Sequence, residues 1–323
     1  MKILVTGGAG YIGSVTAEKL IESGHEIFIL DNLSEGHIGA IPPGSRFIEA
    51  DILNTKELQQ IFSTNKFDAV VHFAANCYVD ESVENPGKYY KNNVFGSINI
   101  LEEAVKSSVK KFVFSSTCST YGIPEKIPIV EEEKQKPINP YGETKLAFEK
   151  TLEWYGQTYQ IKYTILRYFN AAGATEKLGE DHRPETHLIP LVLQCALGKR
   201  SEIKIFGTDY NTKDGTCIRD YIHVSDIAKA HMLALENNTS NAFNLGNGTG
   251  YSVKEVIETA KAVTGKKINT TDCPRRKGDP PVLVGSAEKI HKKLGWEPQF
   301  PSLKEIVSTA WQWHKRFPEG YGK

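Results

Sequence analysis

The sequence predicts an α/β protein in which a doubly wound parallel sheet is followed by a smaller region of mixed α/β character. Three observations predict it. Up to about residue 170, short apolar runs alternate with amphipathic stretches of ten residues or more, a rhythm that specifies parallel strands with helices on both faces. A cluster of glycines separates the first apolar run from the first amphipathic stretch. Beyond Asn170 the rhythm gives way to long connections rich in Gly, Pro and Asp.

Taken in order, residues 2–6 read as a buried strand. A glycine turn follows, then a helix with Ile12, Thr16, Ala17, Leu20 and Ile21 on one face and Gly24 at its end. Strands follow at residues 26–30 and 46–52, a helix opens on the capping box Asn54-x-x-Glu57, and a strand covers residues 68–74. A helix near 93–106, a strand at 111–116, a helix at 141–159 and a strand at 163–169 complete the first half. The second half holds helix-like stretches at 187–198, 224–236, 252–264 and 303–314. No internal repeat or low-complexity linker appears, and the run Glu131-Glu132-Glu133 reads as a solvated loop face.

Composition narrows the functional classes. The chain has 323 residues, 40% hydrophobic and 24% charged, with 39 basic side chains balancing 39 acidic ones. That length accommodates one large core or two domains sharing a cleft. Net neutrality disfavours a nucleic-acid partner, which needs a basic excess, and a membrane-surface role, which needs a basic amphipathic helix. A small-molecule ligand is the expectation. Five cysteines, Cys77, Cys118, Cys195, Cys217 and Cys273, include no Cys-x-x-Cys pair and read as reduced thiols. With no stretch approaching 18 apolar residues and no signal-peptide core at the start, a cytoplasmic location is expected. No metal is expected: the nine histidines include no His-Glu-x-x-His and no evident zinc spacing.

The turn Gly7-Gly8-Ala9-Gly10-Tyr11-Ile12-Gly13 satisfies both Gly-x-Gly-x-x-Gly and Gly-x-x-Gly-x-x-Gly. Such glycines permit a tight turn and close backbone approach, so that a pyrophosphate can rest on a helix N-terminus. The context strengthens the motif: a strand precedes it, a helix follows, and Asp31 ends the next strand, eighteen residues past Gly13. A carboxylate there accepts from the adenosine ribose hydroxyls and repels a 2′-phosphate, which favours NAD over NADP. The first half is therefore expected to be a Rossmann-type dinucleotide domain.

Tyr141 and Lys145 lie four apart at the start of a helix, hence on one face, and of fourteen tyrosines only Tyr141 has Lys at that spacing. A phenol ordinarily titrates near pH 10, so service as a base near neutrality requires about three units of depression, ~4 kcal/mol. A lysine cation and an oxidised nicotinamide ring both act in that direction. Ser115-Ser116-Thr117 ends the preceding strand at the sheet's carboxyl edge, with Ser115 and Thr117 on one side, so either hydroxyl could hold a reacting oxygen.

Thr6-Gly7-x-x-Gly10-x-x-Gly13, Asp31-Asn32, Ala50-Asp51-Ile52, Ser115-Ser116-Thr117, Tyr141-x-x-x-Lys145 and Arg167-Tyr168-Phe169-Asn170 together resemble the extended short-chain dehydrogenase/reductase family, and within it the nucleotide-sugar 4-epimerases. The resemblance continues through Gly207-Thr208-Asp209-Tyr210, Asp214 to Val224, Arg275 to Asp279 and Leu294-Gly295-Trp296-Glu297-Pro298, to about residue 315. It implies reversible epimerisation of UDP-glucose and UDP-galactose at C4 by transient hydride transfer to tightly held NAD, in a homodimer that pairs the helices near 93–106 and 141–159. It further implies a dinucleotide domain at 1–170, joined by a returning segment at about 217–246, and a UDP-sugar-binding domain at 171–323.

Residue by residue, the resemblance assigns Tyr141 as base, Lys145 as holder of the nicotinamide ribose that also lowers the Tyr141 pKa, and Thr117 as partner of the sugar 4-oxygen. Cofactor contacts are implied for Gly7, Gly10, Tyr11, Ile12, Gly13, Asp31, Asn32, Asp51, Ile52, Phe73, Ala74, Ala75, Asn92, Ser115 and Phe169 beside Tyr141 and Lys145. On the substrate side it implies Asn170, Arg219 and Arg276 at the diphosphate, Phe206 at the uracil, Asp279 at the ribose, and His187 and Leu188 nearby. Leu283 occupies the position that gates N-acetylated sugars, and a leucine there leaves room for UDP-GlcNAc. Cys77 stands where several relatives carry Lys, and His187 where Asn is common.

Rival readings are weaker. A nucleotide-sugar 4,6-dehydratase carries Asp-Glu after the Thr, whereas Thr117 is followed by Cys118-Ser119. Epimerases of UDP-pentoses or UDP-uronic acids share the C4 chemistry and differ only around C5. A non-catalytic NAD sensor would ordinarily lack the Tyr141/Lys145 pair.

Overall fold

A computed structural model describes residues 1–276 and 279–322. Lys277 and Gly278, part of the Arg275 to Asp279 tract, lie outside the described residues. The first unit is β1 (Lys2–Thr6), α1 (Tyr11–Glu22), β2 (Glu26–Asp31), β3 (Arg46–Glu49), α2 (Thr55–Thr64) and β4 (Ala69–His72). After two short helices, α3 (Val79–Glu84) and α4 (Pro86–Tyr89), and a π-helical segment Tyr90–Gly96, come α5 (Ser97–Lys106), β5 (Lys111–Thr117), α6 (Pro140–Tyr159) and β6 (Lys162–Tyr168). The remainder comprises β7 (Asn170–Ala172), α7 (Leu188–Ala196), β8 (Ile203–Phe206), β9 (Ile218–His223), α8 (Val224–Glu236) and β10 (Asn241–Leu245). It ends with β11 (Gly250–Ser252), α9 (Val253–Thr264), β12 (Thr270–Cys273), β13 (Val282–Leu283), α10 (Glu288–Leu294) and α11 (Leu303–Arg316).

Seven strands form one parallel sheet in the order β10-β6-β5-β4-β1-β2-β3. This is the doubly wound arrangement expected from the alternating pattern, with the order reversing at β1 and β4. Its central strands read as continuous apolar runs because both faces are covered: Ile3, Val5, Val71 and Phe243 belong to one core layer, Leu4, Val70, Phe112 and Ile165 to the other. A separate sheet centres on β9, which pairs antiparallel with β11 and parallel with β13 and β7, and β8 pairs with β12. The second region packs its own core around Ile189, Val192, Val256 and Ile306. Among the described residues, no helix is long and apolar enough to cross a membrane.

Several boundaries move for identifiable reasons. The strand expected at 46–52 ends at Glu49, where the Ala50 N–H turns to the Asp31 carbonyl. The strand expected at 68–74 ends at His72, and the helix expected at 93 begins as π turns at Tyr90. Asn54 caps α2 by accepting the Glu57 N–H at 3.4 Å. Glu131 departs from the solvated loop expected of it: its carboxylate is partly buried and accepts the Asn244 N–H at 2.8 Å, tying the loop to β10.

Candidate active site

The glycine turn joins β1 to α1 at the carboxyl edge of the sheet. Gly7 adopts φ +69°, and a Cβ there would lie 2.5 Å from the Ala74 nitrogen. At Gly13 a Cβ would lie 2.2 Å from the Gly7 carbonyl oxygen, so only glycine lets the helix close on the turn. The N-terminus of α1 has no side-chain cap and no acid in its first turn, unlike α2 and α6, which asparagines cap, or α9 and α11, which serines cap. Its first N–H groups and positive dipole end remain available to a phosphate. Tyr11 is buried and donates its hydroxyl to the Gly173 carbonyl at 2.6 Å, fixing the turn to the second region; Ile12 packs at the core margin.

Asp31 is buried, with one carboxylate oxygen accepting from the Ala9 N–H at 3.0 Å and the other from the Leu33 N–H at 2.9 Å. Burial pushes its pKa up and the two N–H groups oppose it. Next to it, Asn32 donates to Asp51 at 3.1 Å, and Asp51 accepts the Leu53 N–H. Buried Ile52 meets Gly96, where a Cβ would come within 2.6 Å of it. Phe73 donates its N–H to Thr6 and lies against the His231 ring, centroids 4.6 Å apart, while Ala74 and Ala75 continue beyond β4. An open helix terminus beside a paired, buried carboxylate is a donor set that fits an adenine dinucleotide lacking a 2′-phosphate.

On α6, Asn139 caps the helix by accepting the Gly142 N–H at 2.8 Å with Pro140 in the first turn, which aims Tyr141 and Lys145 at the end of β5. Lys145 is 4% exposed and donates to the Ser115 carbonyl at 2.9 Å; burial, resisted by Cys77 and Glu149, pushes its pKa down to about 8. Tyr141 is half-buried, and loss of water around its phenol raises its pKa well above the ordinary value. Cys77 and Tyr168 add to that rise, and the nearby Thr117 hydroxyl counters it. The Lys145 ammonium sits 6.0 Å from the Tyr141 ring centroid while it donates to the Ser115 carbonyl. The two candidate hydroxyls separate as well. Ser115 is bonded to the Tyr168 hydroxyl, leaving Thr117 as the one facing Tyr141.

Residues that the sequence reading passed over hold this arrangement. Glu149, one turn beyond Lys145, accepts from Ser116 and from the Arg167 guanidinium, whose Nη2 lies 2.7 Å from it; the two side chains are 1% and 5% exposed. Arg167 also donates to the Tyr121 hydroxyl, which donates to Asn244. The signal was a carboxylate eight residues after Tyr141, between the buried Phe148 and Leu152 on the inward face of α6. In the π segment, Asn93 accepts the Asn76 N–H and donates to its carbonyl, at 2.8 and 2.9 Å, with Asn92 bonded to Asn93.

Of the residues expected at the substrate, Asn170, Arg219 and Leu283 are brought together by β9: Asn170 pairs with Tyr221 and Leu283 with Arg219. Leu283 packs on a buried cluster of Cys118, Tyr121, Ile129 and Phe169, which places β13 beside Thr117. Arg219 is not free: its guanidinium is paired with Asp279, so both groups are bound to each other rather than to a phosphate and a ribose. Arg276 stacks over Phe206, guanidinium carbon 4.3 Å from the ring centroid. His187 precedes α7 and is ion-paired with Glu180 at 2.8 Å and Glu185 at 3.1 Å, contacts that push its pKa up to about 10 against the effect of burial. Leu188 packs on the second core. Folding also gathers Glu180, His182, Glu185 and His187, which are spread over eight residues of one connection.

Fold and site together define a dinucleotide-dependent Tyr/Lys enzyme of the doubly wound class. The chain belongs to the NAD dependent epimerase/dehydratase family, which its residues 3–246 match. It is 54% identical to the UDP-glucose 4-epimerase of Halalkalibacterium halodurans over 99% of this chain and 98% of that one. Among solved structures it resembles a UDP-glucose 4-epimerase from Brucella ovis in complex with NAD, at TM-score 0.93 and 45% identity over 96% of this chain and 97% of the other. It also resembles the UDP-Glc/GlcNAc 4-epimerase of Campylobacter jejuni, at TM-score 0.86 and 46% identity over 98% and 99%.

Proposed function

We propose that this chain interconverts UDP-glucose and UDP-galactose at C4 of the sugar, in galactose metabolism. The observation that carries the reading is Thr117 facing the Tyr141 phenol at the carboxyl end of β5, beside the open N-terminus of α1, in a chain whose full length matches relatives bearing that name. NAD, when bound, supplies a hydride acceptor that returns what it takes. With the positive ring of bound NAD and the Lys145 ammonium drawing its pKa down, Tyr141 would remove the 4-hydroxyl proton and later give it back, while Thr117 holds the 4-oxygen and Lys145 the nicotinamide ribose. The resulting 4-keto sugar turns over and is reduced on its other face. UDP is gripped by Asn170, Phe206, Arg219, Arg276 and Asp279, which leaves the sugar free to turn.

In this reading residues 1–170 with 217–246 serve the cofactor and 171–323 the UDP-sugar. The protein works in the cytoplasm as a homodimer; Phe95 at 62% exposure and Trp154 at 69%, one on the π segment and one on α6, offer apolar surface for the contact. Leu283, which packs on the Phe169 cluster, is the residue expected to gate N-acetylated sugars, and its moderate size supports a second activity on UDP-GlcNAc. The test is to incubate the purified protein, without added cofactor, with UDP-glucose, UDP-GlcNAc, UDP-xylose and UDP-glucuronate and to separate the products. Conversion of UDP-glucose is expected, with UDP-GlcNAc turned over at more than a thousandth of that rate. Conversion of only the pentose or the uronate would overturn the proposed substrate.

A further inference from the structure

We propose that Glu180, His182, Glu185 and His187 form a site for one transition-metal dication of the Zn²⁺ class. All four lie in the connection between β7 and α7, and their ligand atoms fall within 4.8 Å of one another. The individual separations are informative. Glu180 Oε1 is 2.8 Å from His187 Nδ1 and 3.2 Å from His182 Nδ1, and Glu185 oxygens are 3.1 and 3.9 Å from the same two nitrogens. A tetrahedral zinc with bonds of about 2.0–2.2 Å has ligand-to-ligand edges of about 3.3–3.5 Å. The four His–Glu edges bracket that range and no ligand-atom separation exceeds 4.8 Å, so side-chain shifts well within rotamer reach convert the cluster into a coordination shell.

The donor set and its surroundings agree with this chemistry. Two imidazoles with two carboxylates suit zinc and its neighbours in the first transition row, whereas magnesium and calcium take oxygen alone. The carboxylate side chains are 5% and 6% exposed and His182 is 14% exposed, while His187 at 40% leaves an approach from solvent. His182 is held in orientation by the edges of Tyr11 and Tyr78, ring centroids 6.4 and 6.0 Å away. Outer contacts of this sort fix a ligand ring. Because Tyr11 opens α1 and His187 precedes α7, an ion here links the glycine turn to the second region.

The experiment uses the full-length protein, stripped with a chelator, dialysed and titrated with Co²⁺ and then Zn²⁺. One Co²⁺ per chain is expected, with the intense visible bands of a tetrahedral nitrogen/oxygen site, no sulfur charge-transfer band, displacement by Zn²⁺ and a higher melting temperature in Zn²⁺. His182→Gln and Glu185→Gln should each weaken binding at least tenfold. Absence of saturable binding, weak octahedral bands, a sulfur charge-transfer band, or wild-type affinity in both variants would each overturn the site. The wild-type spectrum decides the matter even where a variant folds poorly, and none of these readouts depends on the reaction proposed above.

Discussion

On the side of the site built by β5 and α6, Lys145, Ser115, Ser116, Glu149 and Arg167 are each less than a tenth exposed and bonded to one another. On the side built by the second region, Arg219 and Asp279 are partly exposed and paired together, and Arg276 lies exposed over Phe206. The first arrangement admits no rearrangement without stranding a buried charge. In the second, an incoming phosphate can replace Asp279 at Arg219, since a guanidinium fork accepts either anion. The candidate catalytic side thus rests on groups locked into the core, whereas the candidate ligand-gripping groups are satisfied locally and can exchange partners.

The contrast can be broken most sharply at the rigid side. Tyr141→Phe should lower turnover of UDP-glucose by about a thousandfold, within the range for loss of a positioned base, with retained cofactor and melting temperature unchanged. A coupled assay beside the absorbance of bound dinucleotide checks both. Glu149→Gln leaves Arg167 buried without a counter-charge and should cost about 3–5 kcal/mol of stability, read as a lower urea midpoint. If that variant unfolds like the wild type, the buried network is not what holds β5 to α6.

An effect of intermediate size concerns pH. Burial pushes His72 down to about 3, and His223 and His231 down to about 4. Each is neutral in the folded chain and protonated in the unfolded chain below about pH 6.5, so its contribution to stability is present above that pH and is lost as pH falls toward its folded value. His231→Gln should therefore flatten the pH dependence of stability between about pH 4 and 6.5 by one proton, ~1.4 kcal/mol per pH unit. Urea titrations at several pH values measure the slope, and an unchanged slope would show that His231 does not titrate on unfolding.

At the exchangeable side smaller effects are expected. Arg219→Lys, which keeps the charge and loses the fork, should raise KM for UDP-glucose about tenfold with little change in kcat. A fall in kcat with KM constant would move Arg219 to the rigid group. Leu283→Phe should change the UDP-GlcNAc to UDP-glucose ratio about fivefold, the low end of the ~1–3 kcal/mol by which a hydrophobic pocket discriminates per group. Product ratios from mixed substrates test it.

Legibility in the sequence followed the same division. The glycine turn, Asp31 and the Tyr141/Lys145 pair were readable because their chemistry depends on local spacing, one turn of helix or one strand end. The parallel sheet was readable because burial on both faces writes continuous apolar runs such as Ile3-Leu4-Val5. What escaped depends on the fold to unite it. Arg167 and Glu149 are eighteen residues apart and meet only through the β6 to α6 packing. The strands of the second region are two to six residues long, too short for any alternation to show. Four-residue spacing fixes a shared helix face for Tyr141 and Lys145, whereas the direction of the Lys145 ammonium is set by the Ser115 carbonyl across the site, which spacing alone does not reveal.

One topological feature reaches into biosynthesis. The outermost strand on one side of the seven-stranded sheet, β10, is supplied by residues 241–245, long after β6 at 162–168. On the ribosome, β6 emerges with one flank unpaired while more than seventy residues of a different region are still being made. An exposed parallel edge is a template for wrong partners. A nascent chain arrested near residue 200 should therefore need chaperone protection that an otherwise similar chain arrested near residue 290, with β10 in place, does not.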